Sequence, residues 1–143
     1  MTELQHPRAK ILLVDDSRTN LVILGEILSA DYNILVATSG EAALEIAQDP
    51  EPPDLILLDV KMPGLDGYVT CQMLKANEKT RNISVIFITA VEGSQAETRG
   101  FELGAVDYIT KPYSAPVVRA RVKTHIALKQ YTNLLENLAF LDG

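Results

Sequence analysis

The chain has 143 residues, 47% of them hydrophobic, and a formal net charge of −6. That is enough for one domain with a real core, and the acidic balance speaks against a nucleic-acid-binding surface on this segment. Cys71 is the only cysteine, so an internal disulfide is excluded and a reducing, cytoplasmic setting is expected; residues 1–10 are too polar for a signal peptide, and no apolar run approaches membrane-spanning length.

Residues 1–9 read as a loose leader. Ile11-Leu12-Leu13-Val14 is an unbroken apolar run closed by Asp15-Asp16, the pattern of a strand covered on both faces. From Thr19 to Ala30, Leu21, Leu24, Ile27 and Leu28 recur at helical spacing. Ile34-Leu35-Val36-Ala37 is a second strand. Thr38-Ser39-Gly40-Glu41 fits a capping box, with Thr38 as N-cap and Glu41 reaching back, and the helix it opens carries Ala43, Leu44, Ile46 and Ala47. The proline-rich loop Asp49-Pro50-Glu51-Pro52-Pro53 stops that helix.

Asp54 to Leu58 is a third strand that ends at Asp59, followed by the turn formers Met62-Pro63-Gly64-Leu65-Asp66-Gly67. A third helix is marked by Val69, Met73, Leu74 and Ala76. Val85-Ile86-Phe87-Ile88 is a fourth strand, closed by Thr89. A weaker helix runs from about Ser94 to Leu103, with Gly104 suited to its C-terminal cap. Tyr108-Ile109 is a short fifth strand, Lys111-Pro112 follows, and Ser114 caps a last helix. Strands alternating with helices, the strands continuously apolar, predict a doubly wound parallel sheet. Order 2-1-3-4-5 is one of two common solutions, and the pattern alone does not choose it.

The last helix is long for its domain. From Ser114 to Leu141 it would span about 40 Å at about 1.5 Å per residue. Val118, Val122 and Ile126 form a stripe for docking on the sheet. Beyond them Leu128, Tyr131, Leu135 and Leu138 step by three, four and three, a short coiled-coil seam. The reading is an overhanging helix that pairs two copies; the alternative is a helix that folds back on its own domain. The organisation expected is therefore a leader (1–9), a domain (10–127) and an extended helix or linker (128–143).

Four strands end in chemically loaded residues: Asp15 and Asp16, Asp59, Thr89 and Lys111. In a parallel sheet these ends share one edge. Singly each has an ordinary explanation, as a helix cap, a turn starter, a strand-end hydroxyl or a solvated charge. Together they describe a site. Carboxylates in a cluster repel one another and call for protons or a cation, and an oxygen-only donor set at an open site favours Mg²⁺. Lys111 adds a point positive charge, and Thr89 can donate to an anionic oxygen. Asp59 then suits the role of nucleophile toward a phosphoryl group.

Leu13-Val14-Asp15-Asp16-Ser17, Leu57-Leu58-Asp59-Val60-Lys61-Met62-Pro63-Gly64-Leu65-Asp66-Gly67 and Gly104-Ala105-Val106-Asp107-Tyr108-Ile109-Thr110-Lys111-Pro112 resemble the signature segments of two-component response-regulator receiver domains, in order and spacing, over about residues 9–130. The resemblance implies a flavodoxin-like five-stranded sheet of order 2-1-3-4-5. It implies that Asp59 accepts a phosphoryl group from the phosphohistidine of a sensor histidine kinase or phosphotransfer protein. It implies Mg²⁺ held by Asp16, Asp59 and the backbone carbonyl of Lys61, with Asp15 acting largely through water, and a phosphoryl group met by Thr89 and Lys111. A cis Lys111-Pro112 bond and a switch role for Tyr108, turning inward as Thr89 moves, are implied as well. Lys61 and Val91 depart from the commonest family choices and bear on the lifetime of the phosphoryl group. No enzymatic activity is expected of the chain beyond catalysing its own phosphorylation.

Leu138-Ala139-Phe140-Leu141-Asp142-Gly143 is similar to the lead-in to a diguanylate cyclase (GGDEF) domain, which makes cyclic di-GMP synthesis the expected output. A phosphodiesterase output of the HD-GYP class and a stand-alone receiver are the alternatives. Two other classes fit less well. An aspartyl-phosphate phosphatase spaces its two aspartates differently after the first strand. A flavin module needs a hydroxyl- and glycine-rich loop where Asp15-Asp16 stands. A degenerate receiver serving only as an interaction module would be expected to lack some of the five site residues, and all are present.

Overall fold

A computed structural model describes residues 8–142, with side chains described to Leu138. Most of the leader and the last residues of the cyclase-like tail lie outside the described residues. Among the described residues five strands and five helices alternate: β1 (Lys10–Val14), α1 (Arg18–Leu28), β2 (Asn33–Ala37), α2 (Gly40–Ala47), β3 (Leu55–Leu58), α3 (Gly67–Ala76), β4 (Ser84–Thr89), α4 (Ser94–Glu102), β5 (Asp107–Thr110) and α5 (Ala115–Asp142). The sheet is parallel throughout, in the order β2-β1-β3-β4-β5. This is the flavodoxin-like doubly wound fold with an extended C-terminal helix.

Successive strand residues point to opposite faces, so each apolar run feeds two cores. Leu12, Val14, Ile56, Leu58, Val85 and Phe87 pack with α2 and α3. Ile11, Leu13, Leu55, Leu57, Ile86 and Ile88 pack with α1 and α5. The expected α5 stripe is where it should be: Val118, Val122 and Ile126 are buried. Ser114 accepts from the Val117 N–H at 3.3 Å and caps that helix.

Several local expectations are corrected. The N-cap of α2 is Ser39, not Thr38; the Ser39 hydroxyl accepts from the Ala42 N–H at 3.1 Å. Glu41 lies beside Gly64, where an added Cβ would meet its Oε2 at 2.8 Å, and takes no part in a reciprocal box. β3 begins at Leu55, one residue later than expected; the Asp54 carboxylate accepts from the Lys10 N–H at 2.8 Å. β2 is not covered on both faces: it is an edge strand, and Val36 is 51% exposed. The buried face of α3 is Tyr68, Thr70, Cys71 and Leu74; Met73 points outward. As expected, Gly104 follows α4 with φ of 106°, a conformation that admits glycine readily and other residues poorly.

Beyond the sheet α5 continues as an overhang. Lys129 donates to the Asn82 carbonyl in the loop before β4. Leu128, Tyr131, Leu135 and Leu138 are all exposed on the overhang. Among the described residues no helix is long and apolar enough to cross a membrane.

Candidate functional site

The carboxyl ends of β1, β3, β4 and β5 share one edge because every strand runs the same way. Asp15 is buried at the end of β1. Its Oδ1 accepts from the Ser17 N–H at 2.9 Å, and its Oδ2 accepts from the Asn20 side-chain amide at 3.2 Å. Ser17 in turn caps α1, taking the Asn20 N–H at 3.3 Å. One short loop thus orients Asp15 inward and leaves Asp16 exposed.

Asp59 follows β3, held by its N–H to the Val14 carbonyl at 3.0 Å. Its Oδ1 accepts from the Val60 N–H at 2.7 Å, so one carboxylate oxygen is pinned by backbone. The first turn of α3 closes tightly over this segment. The Gly67 N–H donates to the Val60 carbonyl at 2.7 Å, and a Cβ on Gly67 would fall 2.0 Å from the Asp59 carbonyl oxygen. Glycine is required there by close approach.

Lys111 bridges the two buried acids. Its Nζ is 2.8 Å from Asp15 Oδ2 and 3.3 Å from Asp59 Oδ2. Burial alone would lower its pKa, but the two carboxylates outweigh it and hold the lysine above its ordinary value. Asp15, Asp16 and Asp59 each present an oxygen within 4.8 Å of the others. Three carboxylates against one ammonium leave two negative charges uncompensated. An oxygen-only cluster with that residual charge fits a hard divalent cation. Asp16 and Lys61 line the same cavity of about 610 Å³, together with Asp66, Tyr68, Val91 and Arg99.

Thr89 is buried at the end of β4, and its Oγ1 accepts from the Val91 N–H at 3.2 Å. With that acceptor role taken, its own proton is left to donate. The Lys111-Pro112 peptide is cis. Tyr108 is turned inward, 5% exposed, and its hydroxyl donates to the Val91 carbonyl at 2.6 Å.

Asp15, Asp16, Asp59 and Lys111 thus come together; Thr89 is tied to them through its carbonyl, which accepts from the Lys111 backbone N–H at 2.8 Å, and Tyr108 is tied to Thr89 through Val91. Three contributors were not anticipated. Asn20 supports Asp15 from α1; its spacing from that acid is the only sequence signal. Tyr68 contacts the Tyr108 hydroxyl at 3.2 Å, and its place after a glycine-rich turn hides it. Arg99 lies 4.4 Å from the Tyr68 ring centroid, a contact only the fold creates.

The family model of the response regulator receiver domain matches residues 11–123. A protein named "Probable cyclic di-GMP phosphodiesterase" from Vibrio cholerae is 44% identical over 127 residues, covering 89% of this chain and 29% of that protein. The response regulator PleD of Caulobacter vibrioides is 43% identical over 117 residues, covering 81% of this chain and 26% of PleD. The chain spans less than a third of the length of either relative. Among solved structures, the BeF3-activated receiver domain of DrrB, a Thermotoga maritima protein, superposes with a TM-score of 0.75 at 32% identity, covering 84% of this chain and 98% of that one. The chain belongs to the receiver domains of two-component response regulators.

Proposed function

We propose that Asp59 is the phosphoacceptor of this receiver and that the domain is a switch set by a sensor histidine kinase or a phosphotransfer protein. The observation that carries the reading is the Lys111 bridge between Asp15 and Asp59, with Asp16 presenting a third carboxylate to the same cluster. An oxygen of the Asp59 carboxylate attacks the phosphorus of a donor phosphohistidine. The phosphorus–nitrogen bond breaks, and the donor imidazole leaves with the electron pair and is protonated. Backbone pinning of Asp59 Oδ1 fixes the carboxylate plane, so Oδ2, facing Lys111, is the freer oxygen. Lys111 offsets the charge that gathers there, and Thr89 offers its free proton to a phosphoryl oxygen. Asp16, Asp59 and the Lys61 carbonyl would hold Mg²⁺, with Asp15 supporting it through water. Bound there, the ion offsets the charge shared by the carboxylates and the incoming phosphoryl group.

We assign the receiver to residues 10–127 and the overhang of α5, residues 128–143, to a linker toward an output domain. Burying Leu128, Tyr131, Leu135 and Leu138 between two copies supplies the reason for a homodimer through α5. The output we favour is cyclic di-GMP turnover: synthesis, on the tail's likeness to a diguanylate cyclase lead-in, with hydrolysis, as in the name of the Vibrio relative, as the alternative. A receiver acting only as an interaction module is the reading to beat.

Intact mass after incubation with acetyl phosphate tests the chemistry. One phosphoryl adduct that requires both Mg²⁺ and Asp59, and is absent from Asp59→Ala, is expected. Absence of an adduct under every condition, with no binding of beryllofluoride, would favour the interaction module.

A further inference from the structure

Two tyrosines meet under the site from different elements. Tyr108 comes from β5 and Tyr68 from the first turn of α3, both buried, with hydroxyls 3.2 Å apart. A tyrosine hydroxyl carries one proton. That of Tyr108 goes to the Val91 carbonyl at 2.6 Å, so toward Tyr68 the Tyr108 oxygen can only accept. The single proton of Tyr68 then has two candidates: Tyr108, and the Ala96 carbonyl in the first turn of α4, also at 3.2 Å.

When Tyr68 donates to Tyr108, the pair is joined. When it donates to Ala96, two phenolic oxygens face each other with no proton between them, and the pair is driven apart. The surroundings hold both rings in place for this choice. Phe87 lies edge-on to Tyr68 at 5.3 Å and tilted against Tyr108 at 5.8 Å. Arg99 covers the Tyr68 ring. Gly100 gives the cluster room, since a Cβ there would sit 3.0 Å from both Phe87 and Tyr108.

On the other side the Val91 peptide touches both partners: its carbonyl takes the Tyr108 proton and its N–H fills the Thr89 oxygen. A continuous series of partners therefore runs from Thr89 through Val91, Tyr108 and Tyr68 to Ala96 on α4.

We infer that Tyr68 is a positioning residue for phosphoryl acceptance, its hydroxyl holding Tyr108 inward and, through Val91, holding Thr89 ready to donate to a phosphoryl group on Asp59. The inference rests on the reading of Asp59 as acceptor. Movement of the Tyr68 proton to Ala96 frees Tyr108 and transfers the hold to α4.

Beryllofluoride with Mg²⁺, titrated calorimetrically into the whole chain, tests it. Tyr68→Phe keeps the ring and removes only the hydroxyl. It should weaken beryllofluoride binding about fivefold, the worth of one ordinary hydrogen bond. Tyr108→Phe should weaken it similarly, and the double variant should be no weaker than either single one, because the two hydroxyls act as one unit. A packing role alone would shift the melting temperature and leave affinity unchanged. Wild-type affinity in Tyr68→Phe, or additive losses in the double variant, would overturn the inference while leaving the acceptor reading intact. Failure of the wild type to bind would instead sink the acceptor reading and this inference with it. Should Tyr68→Phe not fold, the buried hydroxyl-proton resonance of Tyr68 in the wild type decides: it should move on beryllofluoride binding, and constancy would overturn the proposal.

Discussion

The two faces of this sheet are built from different materials. Against α1 and α5 the buried members are all aliphatic: Ile11, Leu13, Leu21, Leu24, Leu28, Leu55, Leu57, Ile86, Ile88, Ile109, Val118, Val122 and Ile126. Against α2, α3 and α4 the core includes Tyr68, Cys71, Phe87 and Tyr108, and the Thr70 hydroxyl is buried beside it. An aliphatic side chain has no partner to exchange, so its face has one good packing and serves as a platform. A hydroxyl has several acceptors within reach, and small changes in geometry trade one for another. The same strands thus carry an aliphatic face and a face on which the Tyr68 hydroxyl has two acceptors within reach. The acidic site sits at the carboxyl edge above both, with Thr89 at the end of β4 and Lys111 just after β5.

The sharpest way to break that contrast is to damage the platform. Leu24→Ala opens a cavity beneath α1 and should cost about 2–5 kcal/mol of unfolding free energy, by chemical denaturation. If the platform takes no part in switching, beryllofluoride affinity of the folded fraction stays within about twofold of wild type, well inside one hydrogen bond's worth. A larger shift would mean that the aliphatic face also moves. Gly67→Ala asks the complementary question. Its Cβ would run into the Asp59 carbonyl, so α3 must back away. Overpacking of this kind should cost about 1–3 kcal/mol. Unlike Leu24→Ala, it should also weaken beryllofluoride binding, because it displaces the acceptor's own backbone.

The platform was legible in the sequence and the switching face was not. Unbroken runs such as Leu55-Ile56-Leu57-Leu58 specify buried parallel strands by composition alone, and Leu21, Leu24 and Leu28 mark their face of α1 by spacing. The strand-end residues Asp15, Asp16, Asp59 and Lys111 were legible because parallel strands bring their carboxyl ends to one edge. The aromatic cluster has no such rule. Tyr68 follows a glycine-rich turn, and only the crossing of α3 over β4 brings it beside Tyr108. Val69, Met73, Leu74 and Ala76 mark α3 as a helix without saying which side faces the core: Val69 and Met73 are more hydrophobic than Thr70, yet Thr70 is buried and Met73 exposed, because Asp66 sets where the helix starts. Ser39 takes the cap in place of Thr38 because either hydroxyl residue can cap, serine somewhat better, and the backbone starts the helix at Gly40.

A smaller test addresses how α5 is joined to β5. Asp107 holds Arg121 at 2.7 Å and His125 at 3.0 Å. Burial would raise its pKa, but the Tyr108 N–H, His125 and Arg121 together bring it below the usual carboxylate range. A depressed folded pKa stabilises the fold fully above the unfolded carboxyl value and loses that contribution as pH falls through the folded value. The staple should therefore weaken in acid, below about pH 4. Asp107→Asn should flatten the acid limb of the stability curve. Since Arg121 is 48% exposed, screening holds the neutral-pH loss to about 1 kcal/mol or less. An unchanged acid limb would place the acid sensitivity elsewhere.

The smallest expected effect on stability belongs to the overhang, and it separates the platform from what the platform carries. Leu135 is 61% exposed on α5, beyond the stripe that docks on the sheet. Leu135→Asp removes no buried contact within one chain, so monomer stability should stay within about 0.5 kcal/mol of wild type. In a paired helix the same carboxylate faces an apolar seam and, by symmetry, its own copy, so association should fall sharply. Sedimentation velocity with and without beryllofluoride reads association, and chemical denaturation reads monomer stability. Loss of a dimer with monomer stability intact would make the overhang an assembly element. An unchanged sedimentation profile would return Leu128, Tyr131, Leu135 and Leu138 to the role of surface residues on a spacer, and would leave α4, which Tyr68 reaches through Ala96, as the surface through which the switch is read.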